Sequence, residues 1–347
     1  MYKASRSLAS ITNEQLDQYL SKGWFRMHQS IFTCEFWQEG FNFRDTIWLR
    51  QRLADFQLPN WFHKMERKYA IRVAFSDFIL TQEQELLYQS YYDTKPKEFP
   101  ASLESILYGD GCENIYDTKM VNLYFSEQLV GAGFFDMGKT SAAAIVTCYD
   151  PGFSSISLGR FINLNIIKHL KEKGLDYFYP GYFAPGNSRF DYKLQFHQPS
   201  LEYYQSANDQ WIPFRHYYET SLPLTRMKEK LLILSSSLES AGFACCFLIN
   251  YYFALEQTSK YDSPYVMYIL PLSSADQQYA ITYDTNKNKY QVFNCTEMDC
   301  ADFIHEEGDQ LVCLQFMHLK TPIGRAYNPG EVVEKIIDLN LEFRKNN

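Results

Sequence analysis

The chain of 347 residues lacks the residue patterns that hold metals or build the common nucleophilic sites. None of its eight cysteines forms a C-x-x-C pair, and its seven histidines stand singly along the sequence. Zinc sites need clustered ligands, and a catalytic triad cannot be argued from scattered histidines. We therefore expect no bound metal. We interpret all eight cysteines as reduced thiols of a cytoplasmic protein, because disulfides are rare in the cytoplasm.

Excess positive charge and long apolar runs are also missing. The formal net charge of −8 provides no overall attraction for a polyanion, so any nucleic-acid contact must be local. No run approaches the roughly 18 apolar residues of a membrane span. The N-terminus also has no apolar core typical of a secretory signal. These absences predict that no membrane is among the partners.

Two features that are present leave alternatives open. Basic residues outnumber acidic ones between residues 44 and 72, a stretch that includes Arg67 and Lys68. It is either a phosphate-binding patch or a solvated basic face. The 27 Tyr and 27 Phe indicate either an aromatic core or a surface on which bases and sugars stack.

Local patterns predict an α+β fold with an antiparallel sheet. Strand-like runs fill residues 120–149 and are interrupted by a hairpin turn at 138–140. Apolar residues at helical spacing follow between 158 and 173, after a serine-rich run that is expected to cap this helix. Further helices are predicted at 12–21, 81–93 and 224–240, and further strands at 71–75, 175–179, 243–255, 265–270, 279–283 and 290–293.

The residues after this helix are expected to carry function. Pro-Gly breaks leave Tyr182, Tyr192 and Lys193 on irregular backbone, where sites commonly lie. The alternation that follows Lys193 predicts the mouth of a strand, with Lys193 on the face opposite the core. Lys193 is then an exposed cation that pairs with a phosphate or with a substrate carboxylate, or one that is merely solvated.

Several short motifs recur in one order through the chain. They are Asp136, Tyr149-Asp150-Pro151, Ser157-Leu158-Gly159, Gly181-Tyr182 and Asp191-Tyr192-Lys193-Leu194-Gln195-Phe196. In order and spacing they resemble the aminoacyl-tRNA–protein transferases, the arginyl- and leucyl-transferases of the N-degron pathway, over roughly residues 10 to 215. Cys34 stands alone where that family carries a cysteine cluster, so no iron–sulfur or metal role is carried over.

The resemblance implies an acetyltransferase-like, GNAT-type fold. We divide the chain into an N-terminal transferase-like region (1–72), a catalytic domain (73–219) and an additional α+β accessory domain (220–347). The implied reaction moves arginine or leucine from aminoacyl-tRNA to the N-terminal amine of a protein, which marks that protein for degradation. Aminoacyl-tRNA is then a co-substrate, protein or peptide N-termini are the partners, and no cofactor is expected.

The motifs supply the candidate site residues. The predicted catalytic residues are Asp136, Tyr149, Asp150, Tyr182 and Lys193. The predicted substrate-binding residues are Ser157, Leu158, Gly159, Arg160, Tyr192, Phe196, Arg67 and Lys68. The start of the 158–173 helix is a natural anion site, expected to hold a phosphate of the tRNA acceptor end. The two aspartates have an alternative role as turn residues.

Two other classes of protein stay open. One is an acyl-CoA-dependent acyltransferase of the same fold, although Ser157-Leu158-Gly159-Arg160 holds a single glycine instead of a G-x-G-x-x-G signature. The other is a degenerate transferase kept as a non-catalytic binding module. The missing cysteine cluster and the accessory domain, which resembles nothing we recognise, keep this alternative open. The sequence gives no indication of the oligomeric state.

Overall fold

The computed structural model describes residues 3–40, 42–95, 100–109, 111, 113–218, 222–250, 263–270, 278–294, 304–307, 310–313 and 322–346. The chain divides into two compact units. The larger unit contains residues 4–33 and 46–217, and the smaller unit contains residue 3, residues 34–45 and the described residues from 218 onward.

The elements of the larger unit are given first. Its helices are α1 (Asn13–Leu20), α2 (Asn60–Tyr69), α3 (Gln82–Tyr92), α4 (Leu103–Tyr108) and α5 (Leu158–Glu172). The strands up to Cys34, which end at the border of this unit, are β1 (Lys3–Ser7), β2 (Phe25–Met27) and β3 (Ser30–Cys34). After β4 and β5 of the smaller unit come β6 (Ile47–Arg52), β7 (Arg72–Asp77), β8 (Thr118–Phe125), β9 (Gln128–Met137), β10 (Ser141–Tyr149), β11 (Tyr177–Phe183), β12 (Leu201–Gln205) and β13 (Gln210–Pro213). Short 3₁₀ helices span Pro151–Ile156, Ser188–Gln195, Gln198–Ser200 and Phe214–His216.

The smaller unit has its own sheet and helices. Its helices are α6 (Pro223–Ser240) and α7 (Pro329–Asn346). Its strands are β4 (Phe36–Glu39), β5 (Asn42–Asp45), β14 (Cys245–Asn250), β15 (Tyr265–Ile269), β16 (Tyr279–Asp284), β17 (Lys289–Asn294), β18 (Ile304–Glu307), β19 (Gln310–Cys313) and β20 (Gly324–Ala326). Leu231 and Leu234 of α6 pack with Ile281 and Val292 of the sheet and with Ile336 of α7.

The main sheet of the larger unit has the order β13-β12-β6-β11-β10-β9-β8-β7. Its neighbouring strands run antiparallel, except that β10 and β11 run parallel and are connected through α5. Three antiparallel strands, a crossover helix and a parallel strand reproduce the order expected of an acetyltransferase-like fold. The α+β prediction is confirmed.

Helices cover both faces of this sheet. On one face, Phe161, Ile162 and Ile166 of α5 pack against Val121 and Phe135. On the other face, α3 and α4 pack against Met120 and Phe134. Within the described residues, no helix combines the length and apolarity needed to cross a membrane.

Most of the predicted elements are confirmed. Helix α1 begins after Thr12, whose side chain accepts from the Gln15 amide in a capping box. The turn at 138–140 joins β9 to β10, and α5 lies where the 158–173 helix was predicted. The predicted 243–255 strand is β14 as far as Asn250, and its remaining residues lie outside the described part of the chain.

The close approach of α5 to β9 depends on Gly133. A Cβ at this position would lie 2.5 Å from Ile162 Cγ2 and 3.1 Å from Val121 Cγ1. We expect Gly133→Ala to lower the free energy of unfolding by about 1–3 kcal/mol, because a packed core does not yield to an added methyl. Denaturant titration measures this loss.

A double-mutant cycle provides the control for this prediction. Gly133→Ala should cost less in an Ile162→Ala background, where the contacting methyl is gone. Equal stability of Gly133→Ala and the unchanged protein would contradict the packing described.

Candidate functional site

A cleft opens in the main sheet where β10 and β11 separate. The two strands pair only from Ser141↔Tyr177 to Ala143↔Tyr179, although β10 continues to Tyr149 and β11 to Phe183. Each strand carries an irregularity close to the last pair. In β10 it lies between Ala144 and Val146, and in β11 between Phe178 and Gly181. The carboxyl ends of both strands therefore face an open space.

One wall of the cleft is built from β10, α5 and α3. The Tyr149 ring lies against the start of α5, where a Cβ on Gly159 would be only 3.0 Å from Tyr149 Cε1. Tyr91 of α3 packs on Tyr149 with ring centroids 5.0 Å apart. Gly159 is thus the residue that lets an aromatic ring lie against the first turn of the helix.

The opposite wall is built from β11 and the 3₁₀ helix Ser188–Gln195. Lys193 Nζ donates to the Tyr182 carbonyl oxygen at 2.6 Å. Its Nζ lies 5.2–5.9 Å from the ring centroids of Tyr182, Phe190 and Tyr192. A Cβ on Gly181 would come within 3.2 Å of this Nζ, so the glycine leaves the room that Lys193 occupies.

Lys193 is the most perturbed cation of the cleft. It is 8% exposed, and burial lowers the pKa of its ammonium to about 7. No salt bridge to Lys193 forms within the described residues, and the Tyr182 carbonyl takes only one of its N–H groups. Two donors therefore remain for a ligand that brings oxygen atoms.

Further basic groups lie around Lys193. Lys95 Nζ lies 4.3 Å from the Tyr91 ring centroid, and its pKa is lowered by burial and then by the charge of Arg189. Arg160, in the first turn of α5, lies over Trp61 and donates to the Gln195 carbonyl at 3.3 Å. Its Nε is buried and has no hydrogen-bond partner in the part of the chain that the structure describes. Basic side chains thus gather at the cleft although the whole chain has a formal net charge of −8.

The structure brings many of the predicted site residues together. Tyr149, Gly159, Arg160, Tyr182, Tyr192 and Lys193 surround the cleft, and Phe196 packs on Tyr192 with ring centroids 6.1 Å apart. Tyr91, Lys95, Arg189 and Phe190 also belong to it but were not predicted, because a tyrosine on a helix or a single basic residue resembles ordinary core or surface in a sequence.

Lys193 differs from its prediction in two ways. Residues 188–195 form a 3₁₀ helix and not the mouth of a strand, so the alternation after Lys193 does not set its direction. Lys193 is also buried and not exposed. The short segment folds back onto β11, and the hydrogen bond to Tyr182 holds the side chain inside.

The residues that precede α5 have local structural roles. Asp150 accepts from the Gly152 amide at 2.8 Å, which supports its alternative role as a turn residue. Ser157 has a φ of 55° and makes no side-chain capping bond, so the expected serine cap is absent at this helix. Leu158 is fully buried in the core below the helix.

Asp136, predicted to be catalytic, lies outside the cleft. It is opposite Ala143 in the β9–β10 ladder, six residues from Tyr149, which corresponds to roughly 20 Å along the strand. It is fully buried and accepts from Arg26 at 2.9 Å and from Thr118 at 2.6 Å. These contacts fasten β2 to the sheet at the end of β9 that lies away from the cleft.

Arg67 and Lys68 lie on α2, which runs beside α5. Trp61 at the start of α2 contacts Arg160, and Glu66 pairs with Lys168 at 2.9 Å, so the two helices run in the same direction. Both basic residues are exposed and lie about 10 Å beyond Trp61, away from the mouth of the cleft. They form a basic strip that flanks the site.

The low pKa of Lys193 makes stability depend on pH. Between pH 7 and 10.5 the unfolded chain keeps the lysine proton and the folded chain loses it, so the unfolded state binds more protons. The free energy of unfolding should therefore rise with pH from 7.5 to 9.5, by at most about 1.4 kcal/mol per pH unit from this group. Denaturant titrations at several pH values measure the slope.

Lys193→Met is the matched variant for this prediction. It keeps the length of the side chain without a titrating group and should lose this component of the slope. The same pH dependence in both proteins would contradict the burial of an uncompensated ammonium.

Comparison with known proteins places the cleft in a matching segment. A family model described as "Arginine-tRNA-protein transferase, C terminus" matches residues 61–202, which contain the cleft residues named above. An aspartate/glutamate leucyltransferase of Helicobacter hepaticus is 31% identical over 188 residues, covering 51% of this chain and 74% of that protein. One of Leptospira interrogans is 29% identical over 154 residues, covering 43% of this chain and 60% of that protein.

The chain thus spans 60% of the length of the Leptospira relative. Among solved structures, a GCN5-related N-acetyltransferase from Kribbella flavida has a TM-score of 0.29 and 12% identity, covering 45% of this chain and 55% of that one.

The sequence matches across the cleft are the decisive finding: the chain belongs to the aminoacyl-tRNA–protein transferase family.

Proposed function

We propose that this cleft transfers an amino acid, leucine in the first place, from aminoacyl-tRNA to the N-terminal amine of a protein that begins with aspartate or glutamate. The observation that carries the proposal is Lys193, a buried cation in the cleft with donors to spare and no carboxylate partner among the described residues. The names of the relatives, aspartate/glutamate leucyltransferases, support leucine over arginine.

The reaction depends more on positioning the two substrates than on further chemical activation. The N-terminal amine attacks the ester carbonyl, a C–N bond forms, the C–O bond breaks and the tRNA 3′ hydroxyl leaves. The amine loses one proton, which the leaving oxygen gains. Since the ester is already activated, holding the two groups together can supply roughly 7–11 kcal/mol of the barrier in favourable cases.

The two substrates are recognised by different charged groups of the cleft. Lys193 is suited to the acidic side chain of the first residue of the acceptor, because a carboxylate would complete its hydrogen bonds and offset its desolvation. Arg160 and the start of α5 are suited to phosphate at the acceptor end of tRNA. Arg67 and Lys68 extend this basic surface along α2.

The remaining assignments complete the proposal. The enzyme acts in the cytoplasm without a cofactor, and transfer marks the acceptor for degradation through the N-degron pathway. The rings of Tyr149, Tyr182 and Tyr192 line the path of the terminal adenosine and the ester. The regions 1–72 and 73–219 act together in transfer, and residues 220–347 form an accessory domain.

A transfer assay tests the proposal. Labelled Leu-tRNA and Arg-tRNA are each combined with peptides that begin with Asp, Glu, Arg or Lys, and with acetyl-CoA as an alternative donor. We expect leucine transfer to the Asp and Glu peptides. Transfer from acetyl-CoA would support an acyltransferase instead, and binding without transfer would support a non-catalytic module.

The variant Lys193→Met tests the role of Lys193 in this assay. Loss of a charge-assisted hydrogen bond of about 1.5–3 kcal/mol should lower kcat/KM for the Asp peptide roughly ten- to a hundredfold. Lys139→Met is the matched control, because Lys139 is exposed and lies in the turn before β10, at the other end of the strand from Tyr149. Equal activity of both variants would contradict the assignment of Lys193.

A further inference from the structure

The far end of β10 presents main-chain groups to the cleft. The Asp150 amide donates to the Val130 carbonyl of β9 at 2.9 Å, so Asp150 faces β9. In an antiparallel ladder, alternate residues face the same neighbour, so Cys148 faces β9 while Thr147 and Tyr149 face the opposite side. That side is where β11 would continue if the two strands stayed paired.

The irregularity in β10 is consistent with this assignment. The Ser141 carbonyl accepts from Gly138 on the β9 side, so residues of odd number face β9 at the start of the strand. The shift between Ala144 and Val146 inserts one residue. After it, the even-numbered residues face β9 and the odd-numbered residues face the cleft. The N–H and C=O groups of Thr147 and Tyr149 therefore point into the opening.

The edge of β11 across the cleft is less able to accept a partner. Pro180 has no N–H to donate. The Tyr182 carbonyl already accepts from Lys193. Within the described residues, neither ladder pairs nor other backbone hydrogen bonds engage Thr147 or Tyr149 on the cleft side. The free edge of the cleft is that of β10.

We propose that the acceptor protein binds as an added strand, with the main chain of its first few residues paired to Thr147 and Tyr149 of β10. This inference rests on the proposed function and assigns the site for the acceptor backbone. Two donors and two acceptors on the edge span about 7 Å, enough to hold two or three residues behind the reacting amine.

The chemistry of the two substrates favours the acceptor over the donor. An enzyme that modifies many proteins must hold residues of varied side chain, and main-chain pairing does so without reading sequence. The aminoacyl end of tRNA carries one amino acid and offers no repeating N–H and C=O groups. Lys193 on the facing wall then reads the first side chain while β10 holds the chain behind it.

Backbone ester substitution in the acceptor tests this proposal with the full-length chain. Peptides of the type Asp-Ala-Ala-Ala-Ala carry one ester bond each at positions 2 to 5, which replaces an N–H by oxygen with little change of shape. Only alternate residues of an added strand direct N–H groups to its neighbour. We expect KM for transfer to rise about three- to tenfold at alternate positions and to stay unchanged between them.

The outcomes separate the two hypotheses. Transfer to the parent peptide with equal KM across the ester series overturns the added strand and leaves the proposed function standing. Equal KM, combined with loss of transfer when the α-amine of the tRNA-bound amino acid is acylated, would assign the edge to the donor instead. Failure to transfer to the parent peptide overturns the proposed function and this proposal with it.

Discussion

The separation of β10 from β11 is the constraint on which the site depends. Parallel strands joined by a crossover helix normally continue as neighbours, yet here the ladder ends at Ala143↔Tyr179. An irregularity in each strand and the 3₁₀ helix packed on β11 accompany the separation. Helix α5 crosses between the strands, so its first turn faces the same opening. Charged, aromatic and main-chain groups therefore meet at one end of the sheet.

Burial of Lys193 gives this opening its chemical character. Removing an ammonium from water is costly, and one carbonyl with three aromatic rings offsets that cost only in part. The part of this cost that is not offset lowers the lysine pKa to about 7, since the neutral amine is more easily buried than the ammonium. Under the proposed function, a carboxylate of the bound acceptor would reverse this balance, whereas a neutral side chain would not.

Much of the fold could be predicted from the sequence, because periodicity reports burial directly. The strands from β8 to β10, helix α5 and the capping box at Thr12 all follow local rules. The direction of Lys193 could not be predicted, because Leu194 and Phe196 alternate like a strand while the backbone forms a 3₁₀ helix. The alternation carried no signal of the tertiary hydrogen bond to Tyr182.

The site was predicted in part for the same physical reason. The order of the motifs predicted that Tyr149, Gly159 and Lys193 belong to one site. Asp136 precedes a turn in the sequence, and only the strand register shows how far it lies from Tyr149. Tyr91 and Lys95 join the cleft through packing of α3, a contact between segments distant in sequence. Periodicity describes one element at a time and does not indicate which elements meet.

Titration of Lys193 by NMR shows whether the cleft holds a buried ammonium without a carboxylate partner. Lysine labelled at Cε and Nζ gives one signal per side chain, and Lys193→Met assigns the signal of interest. We expect a pKa of about 7 in the free protein and a pKa higher by about 1–3 when a peptide beginning with aspartate is bound. A peptide beginning with alanine should leave it unchanged. An ordinary lysine pKa in the free protein would contradict the burial of Lys193, and the same response to both peptides would contradict its recognition of an acidic first residue.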